Sequence, residues 1–167
     1  MAITNRIIDA SPEQVYAVLA DGWTYSDWVV GTAHIRGVDR HWPAPGAKIY
    51  HKAGPWPLSL HDSTVCESAV PNAELVLRPR LWPMGEATVT IRLEPLPDGR
   101  TLVVISEHFV AGPLQWVQNK INDLVMHRRN VEGLRRLADI VERRPAALGR
   151  AARDQLDAPA TATAPRS

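Results

Sequence analysis

A segment with helical apolar spacing runs from Pro113 to Arg144, after a long series of short stretches cut by Gly and Pro. That order limits what the chain can fold into. A helix this long has a stripe to bury, and a sheet built from the preceding stretches has a face to bury; each can cover the other. At about 100° per residue, Val117, Ile121, Leu124 and Arg128 fall within about 60° of one another. Val131, Leu134, Ala138 and Val141 continue a stripe that drifts around the helix. Arg128 lies in the middle of it. Its guanidinium either snorkels to an edge or reaches a polar group between helix and sheet. The basic pairs Arg128-Arg129, Arg135-Arg136 and Arg143-Arg144, with Glu132, Asp139 and Glu142 nearby, read mostly as a solvated face.

The chain before this helix is legible in order. Ala2 to Asp9 reads as a strand with Ile3 and Ile7 on one face. Ser11-Pro12-Glu13-Gln14 has the form of a capping box with Pro at the first helical position, and Val15, Val18 and Leu19 form the stripe of a short helix. Asp21-Gly22 ends it, and Trp23 to Trp28 suits a second helical turn. Strands follow over Thr32–Val38, Ala47–Ala53, Leu58–Ser68, Glu74–Leu81, Glu86–Leu93 and Thr101–Val110, separated by turns such as Pro43-Ala44-Pro45-Gly46 and Pro97-Asp98-Gly99. Short turns between strands imply an antiparallel sheet. Pro79 inside one strand suggests an edge or a bulge. The stretch 145–167, rich in Ala, Pro, Thr and Arg, reads as a largely disordered tail in which Ala146 to Leu156 can form a weak helix.

Composition removes several functions. The 167 residues suffice for one domain, 1–144, with a real core. Net charge is +1, and without the tail 16 basic residues face 16 acidic ones, which argues against a nucleic-acid partner. One cysteine, Cys66, allows no internal disulfide. No stretch approaches the ~20 apolar residues of a membrane span, and Met1 to Asp9 lacks the pattern of a secretory signal, so a cytoplasmic location is expected. Six tryptophans against one phenylalanine suit walls that are mostly dry but meet something polar.

The chemistry can be narrowed in the same way. His34, His41, His51, His61, His108 and His127 form no metal motif, and Cys66 has no partner, so no metal is expected. No nucleophile elbow and no phosphate-binding glycine loop occurs, so no cofactor is expected either. Cys66 in an alternating strand reads as a small core residue. What remains is general acid–base work. If Val103 and Ile105 point inward, Glu107 and Phe109 do too; if the register is reversed, His108 replaces Glu107, and pattern alone permits both. An enclosed carboxylate can serve as acid or base. It can equally pair with Arg128, or sit solvated at a rim.

The order strand, two short helices, six strands, long helix resembles the START-like (SRPBCC) helix-grip superfamily, which includes polyketide cyclase/dehydrase-like and pollen-allergen-type proteins. Ser11 to Asp21 followed by Trp28, Asp98-Gly99-Arg100-Thr101 before an alternating strand, and Leu134-Arg135-Arg136-Leu137-Ala138 near the helix end carry the likeness. The resemblance implies an α+β fold in which a curved seven-stranded antiparallel sheet grips the C-terminal helix around an apolar pocket. It also favours the register with Glu107 inside. It implies binding of a lipid, a polyketide or an aromatic metabolite, or, in some members, cyclisation or hydrolysis. Trp28, Tyr50, His61, Leu77, Val89, Ile91, Glu107, Phe109, Trp116, Ile121, Leu124 and Arg128 are the expected ligand-binding residues, and Glu107 is the candidate catalytic group. Trp42, Trp56 and Trp82, each beside a proline, are further candidates for the pocket mouth. A binding protein for a small hydrophobic molecule is the preferred reading; a cyclase, dehydratase or hydrolase using Glu107 is the alternative.

Overall fold

The computed structural model describes residues 2–53, 60–81, 85–111 and 120–156. In chain order the elements are β1 (Ala2–Ile8), α1 (Pro12–Leu19), a 3-10 turn (Gly22–Thr24), α2 (Tyr25–Trp28), β2 (Thr32–Val38), β3 (Lys48–Ala53), β4 (Leu60–Val70), β5 (Glu74–Leu81), β6 (Gly85–Pro95), β7 (Thr101–Ala111) and α3 (Lys120–Leu156). The seven strands form one antiparallel sheet in the order β1-β7-β6-β5-β4-β3-β2. Strands β2 to β7 are a meander, and β1 closes beside the last strand. The sheet curves around α3, giving an α+β helix-grip fold.

Local chemistry explains the first helices. Ser11 Oγ accepts from the Gln14 amide at 3.5 Å, and Gln14 Oε1 accepts from the Ser11 amide at 2.9 Å, so the capping box closes in both directions. Val15, Val18 and Leu19 are fully buried. Gly22 serves packing rather than helix termination. A Cβ there would lie 2.8 Å from Val38 Cγ1 and 3.2 Å from Ile49 Cδ1. Trp23 and Trp28 part company, the first exposed and the second in the core.

Pro79 sits neither on an edge nor at a bulge of its own strand. It is in β5, an interior strand, facing Thr64 of β4; the β5–β6 pairs on either side of it are Leu77↔Val89 and Arg80↔Glu86. Register shifts occur to either side of it, between Cys66 and Ser68 where β4 pairs with β5 and between Glu86 and Ala87 where β6 pairs with β7.

Strand β7 alternates cleanly: Thr101, Val103, Ile105, Glu107 and Phe109 point inward. Of the apolar residues of β1, Ala2 and Ile8 are inward, whereas Ile3 and Ile7 face solvent. The main core joins α1, α2 and the sheet to Leu134, Leu137, Ala138 and Val141 of α3. A smaller cluster unites Ala2, Ala87, Phe109 and Met126. Arg144 Nη2 to Asp21 Oδ2 at 2.9 Å and the Asp9 amide to Glu142 Oε1 at 3.2 Å tie α3 to the N-terminal segment.

The face that α3 buries differs from the sequence expectation in its first half. Leu124 and Val131 are exposed, while Met126, Asn130, Gly133 and Leu134 are buried. The reason lies beneath the helix. A buried carboxylate on β7 demands polar partners, so the inward face there is not apolar and hydrophobic spacing selects the wrong side. The expected helix start at Pro113 lies outside the described residues. The helix runs on past Pro145 to Leu156, into the stretch whose composition suggests a tail.

Candidate functional site

A cavity of about 130 Å³ opens between α2, the first half of α3 and the inner face of the sheet. Its apolar wall comes from Val29, Leu77, Pro79, Val89, Ile91 and Ile105, and its polar points from Trp28, His51, Thr64, Glu107, Arg129 and Asn130. Gly133 also lines it and permits close approach of the helices: a Cβ there would stand 3.2 Å from the Trp28 carbonyl oxygen.

Two polar groups sit on different strands. On β7, Glu107 is 2% exposed. Arg129 Nη2 donates to Oε1 at 2.6 Å and to Oε2 at 2.7 Å, and Asn130 Nδ2 donates to Oε2 at 3.2 Å. Both carboxylate oxygens are therefore occupied. Two adjacent helix residues, Arg129 and Asn130, thus reach one carboxylate on β7. On β3 and β4, His51 Nε2 meets Thr64 Oγ1 at 3.0 Å, while His51 Nδ1 is buried without a hydrogen-bond partner among the described residues. Burial holds the imidazole below the ordinary histidine range; the Asp62 carboxylate opposes this and Arg36 reinforces it. Neutral imidazole is thus the favoured form near pH 7.

The α2 wall is aromatic. Tyr25 and Trp28 pack with ring centroids 5.0 Å apart, and Tyr25 meets Trp42 edge-on at 5.6 Å. The Tyr25 hydroxyl donates to the Leu19 carbonyl at 3.1 Å, and burial pushes its pKa up, so it is committed to the core. Trp28 Nε1 is buried and has no hydrogen-bond partner among the described residues.

Of the residues expected from sequence, Trp28, Leu77, Val89, Ile91 and Glu107 line the cavity. Arg128 is exposed, and its neighbour Arg129 makes the contact with Glu107. Leu124 is on the outer side of the helix. Tyr50 points to the outer face of β3, because Ile49 and His51 take the inner one. His61 is exposed, with Nδ1 3.0 Å from Arg36 Nη1. Phe109 is inward but beyond the cavity, in the smaller cluster. Trp42 packs in the core against Tyr25. Trp56, Trp82, Trp116 and the side chain of Ile121 lie outside the described residues. His51, Thr64, Arg129 and Asn130 escaped sequence reasoning. His51 had a usable signal: it shares parity with Ile49, an apolar residue that marks the inner face of β3.

Among the described residues no group of three or more His, Cys, Asp or Glu side chains is placed to hold a metal ion, and no helix is long and apolar enough to cross a membrane.

A family model described as polyketide cyclase / dehydrase and lipid transport matches residues 3–142. The chain belongs to this family. Among solved structures, the ZhuI aromatase/cyclase from Streptomyces sp. R1128 is similar at 20% identity, covering 89% of this chain and 96% of its own, with a TM-score of 0.69. A protein from Nitrosomonas europaea is similar at 15% identity, covering 86% and 95%, with a TM-score of 0.65. Another, from Mesorhizobium loti, is similar at 16% identity, covering 86% and 97%, with a TM-score of 0.63. At these identities the structures share a fold with this polyketide cyclase/dehydrase family member, and nothing finer. No curated protein matches the sequence.

Proposed function

We propose that this protein binds a small hydrophobic molecule, a lipid, polyketide or aromatic metabolite, in the cavity between the sheet and α3. The observation that carries this reading is the wall itself. It is mainly apolar, with a few polar atoms at fixed positions, which is the usual composition of a small-molecule site. Membership of a family described by cyclisation, dehydration and lipid transport supports the same class of ligand. The test is native extraction with mass spectrometry, together with quenching of tryptophan fluorescence by a lipid and polyketide panel. Retention or saturable quenching is expected; failure of every apolar compound to bind overturns the reading.

A second reading, catalysis on a polyketide-like or aromatic substrate, draws on one observation: Glu107 is a carboxylate on the cavity wall. In this reading it acts as general acid or base. Against it stands the engagement of both Glu107 oxygens by Arg129 and Asn130, which commits the carboxylate to holding α3 on the sheet. Binding without turnover is therefore preferred. Turnover of a polyketide-like substrate, abolished in Glu107→Gln with binding retained, would reverse that preference.

A further inference from the structure

Arg36 and His61 stand on the outer face of the sheet, away from the cavity. Arg36 is the extra residue of a bulge in the edge strand β2, between Ile35, opposite His51, and Gly37, opposite Tyr50. Its Nη1 meets His61 Nδ1 on β4 at 3.0 Å, so the arginine side chain spans β3. A guanidinium only donates, so the imidazole nitrogen accepts. The bond pins the cation without neutralising it. Beneath it, β3 presents Lys48, Tyr50 and Lys52 on one outward row, and Lys52 pairs with His34 on one side and His61 on the other.

Elsewhere the arginines of the surface are mostly matched. Arg78, Arg80, Arg92 and Arg100 on the sheet and its turns, and Arg135, Arg136 and Arg144 on α3, each meet a carboxylate. Among the described residues Arg36, Lys48 and Lys52 form no ion pair; Asp39 takes the Lys48 amide, not its ammonium. Arg6, Arg128 and Arg143 are also unmatched, but they stand singly on β1 and α3. From Thr32 to Ala53 the chain carries four cations against one carboxylate, although its net charge is only +1.

Geometry restricts what this patch can hold. Alternate residues of β3 recur at about 7 Å, so the row from Lys48 to Lys52 is about 14 Å long, and the three strands are about 10 Å across. An extended peptide has the same repeat. A segment of the pattern acidic–x–apolar–x–acidic sets one carboxylate on Lys48, its apolar residue on the exposed Tyr50 ring, and the other carboxylate on Lys52 and the pinned Arg36. Tyr and Arg are residue types that anchor protein interfaces. The patch is too small for the row of phosphates that a nucleic acid presents. It also lacks the aliphatic surface that a bilayer needs: the exposed large aliphatic residues are on β1 and α3 and at the end of β4. The bulges of β2 spoil its edge for strand addition, so the segment lies on the face of the sheet.

We propose that the outer face of β2–β4 docks an acidic segment of a partner protein, through Arg36, Lys48 and Lys52 with Tyr50 as the central anchor. The surface is independent of the cavity, and the ligand-binding reading stands or falls without it. The test titrates the full chain with the peptide acetyl-Gly-Glu-Ser-Phe-Ser-Glu-Gly-amide and follows backbone amide resonances. Shifts are expected at residues 34–37, 48–52 and 61–63, with none for the peptide carrying Lys in place of both Glu. Affinity should fall about threefold or more between 50 and 200 mM salt, because exposed charges are screened. Arg36→Glu and Lys52→Glu should each weaken binding about tenfold, since like charges then face each other. His61→Leu, which releases Arg36 but keeps its charge, should weaken it about twofold to threefold through lost preorganisation. Arg128→Glu, an unmatched cation on α3, should leave it unchanged. Absence of binding, shifts confined to other elements, or equal losses in Arg128→Glu and Lys52→Glu overturns the proposal. Tighter binding of oligothymidylate or of phosphatidylglycerol vesicles than of the peptide overturns the assignment of the partner as a protein. Should a variant fail to fold, the wild-type shift map and salt response decide the matter.

Discussion

Arg129 holds Glu107 with a single nitrogen, Nη2 standing 2.6 Å from Oε1 and 2.7 Å from Oε2. The carboxylate is almost fully enclosed, whereas the arginine side chain is 29% exposed. The two partners therefore respond unequally to loss. Arg129→Met strands a buried carboxylate with Asn130 alone and should cost about 3 kcal/mol. Glu107→Gln leaves a guanidinium that can turn toward water and should cost about half as much. The double variant Glu107→Leu/Arg129→Met should be less destabilised than Arg129→Met alone, because an apolar pair needs no compensation. Urea unfolding of the three variants measures this. A double variant no more stable than Arg129→Met would show that the stranded carboxylate is not what that substitution costs.

The same pair explains which parts of the molecule are legible in its sequence. Strands β6 and β7 follow period two, and the inward set Val103, Ile105, Glu107 comes from alternation once the register is chosen. The capping box at Ser11 specifies the start of α1 because its chemistry is wholly local. Helix α3 is different. From Leu134 onward its buried face is apolar and its stripe reads correctly, but at Arg129 and Asn130 the buried face is polar. Hydrophobic spacing cannot locate a face whose function is to satisfy a carboxylate on a distant strand. The site is therefore one residue away from its sequence expectation, at Arg129 in place of Arg128. His51 was missed for a milder reason: a polar residue on an inner face is visible only through the parity of its neighbour Ile49.

His51 predicts a pH dependence. Burial disfavours the imidazolium and holds its folded pKa below the ordinary histidine value of about 6.5. Below about 6.5 the unfolded chain then binds more protons than the folded one, so stability rises with pH there. The contribution is complete above the unfolded pKa and is lost as pH falls through the folded one. Unfolding midpoints measured from about pH 5 to pH 8 should fall on the acid side, and His51→Leu should flatten that limb. An unchanged slope in the variant would assign the acid sensitivity to other groups.

Cys66 should be unreactive in the native protein. Burial raises its thiol to about 11 from 9.0, and Sγ donates to the Pro43 carbonyl at 2.9 Å. Two pKa units leave about a hundredth of the usual thiolate, and only thiolate attacks a disulfide reagent. Aromatic disulfide labelling at pH about 8 should be at least about 100-fold slower in the folded protein than in denaturant. Rapid labelling of the folded chain would show that this part of β4 opens readily.

Gly22 provides a test of packing free of backbone effects. Its φ is not in the left-handed region, so an alanine is conformationally allowed. The obstacle is Val38, whose Cγ1 and Cγ2 would lie 2.8 Å and 3.1 Å from the new Cβ, with Ile49 Cδ1 at 3.2 Å. Val38 and Ile49 belong to β2 and β3 and pack against the core, so neither can swing into solvent. Gly22→Ala must displace the 3-10 turn from the sheet and should cost about 1–3 kcal/mol, as overpacked sites do. Gly37→Ala is the matched control. Its φ is likewise unrestricted, and its nearest neighbour, Tyr50 Cδ2, is at an ordinary 3.6 Å. It should be neutral or slightly stabilising through reduced unfolded-chain entropy. Thermal unfolding of the two variants should therefore separate them by several degrees, Gly22→Ala melting lower. Equal melting temperatures would mean that the turn yields freely and that Gly22 is not needed for the close approach.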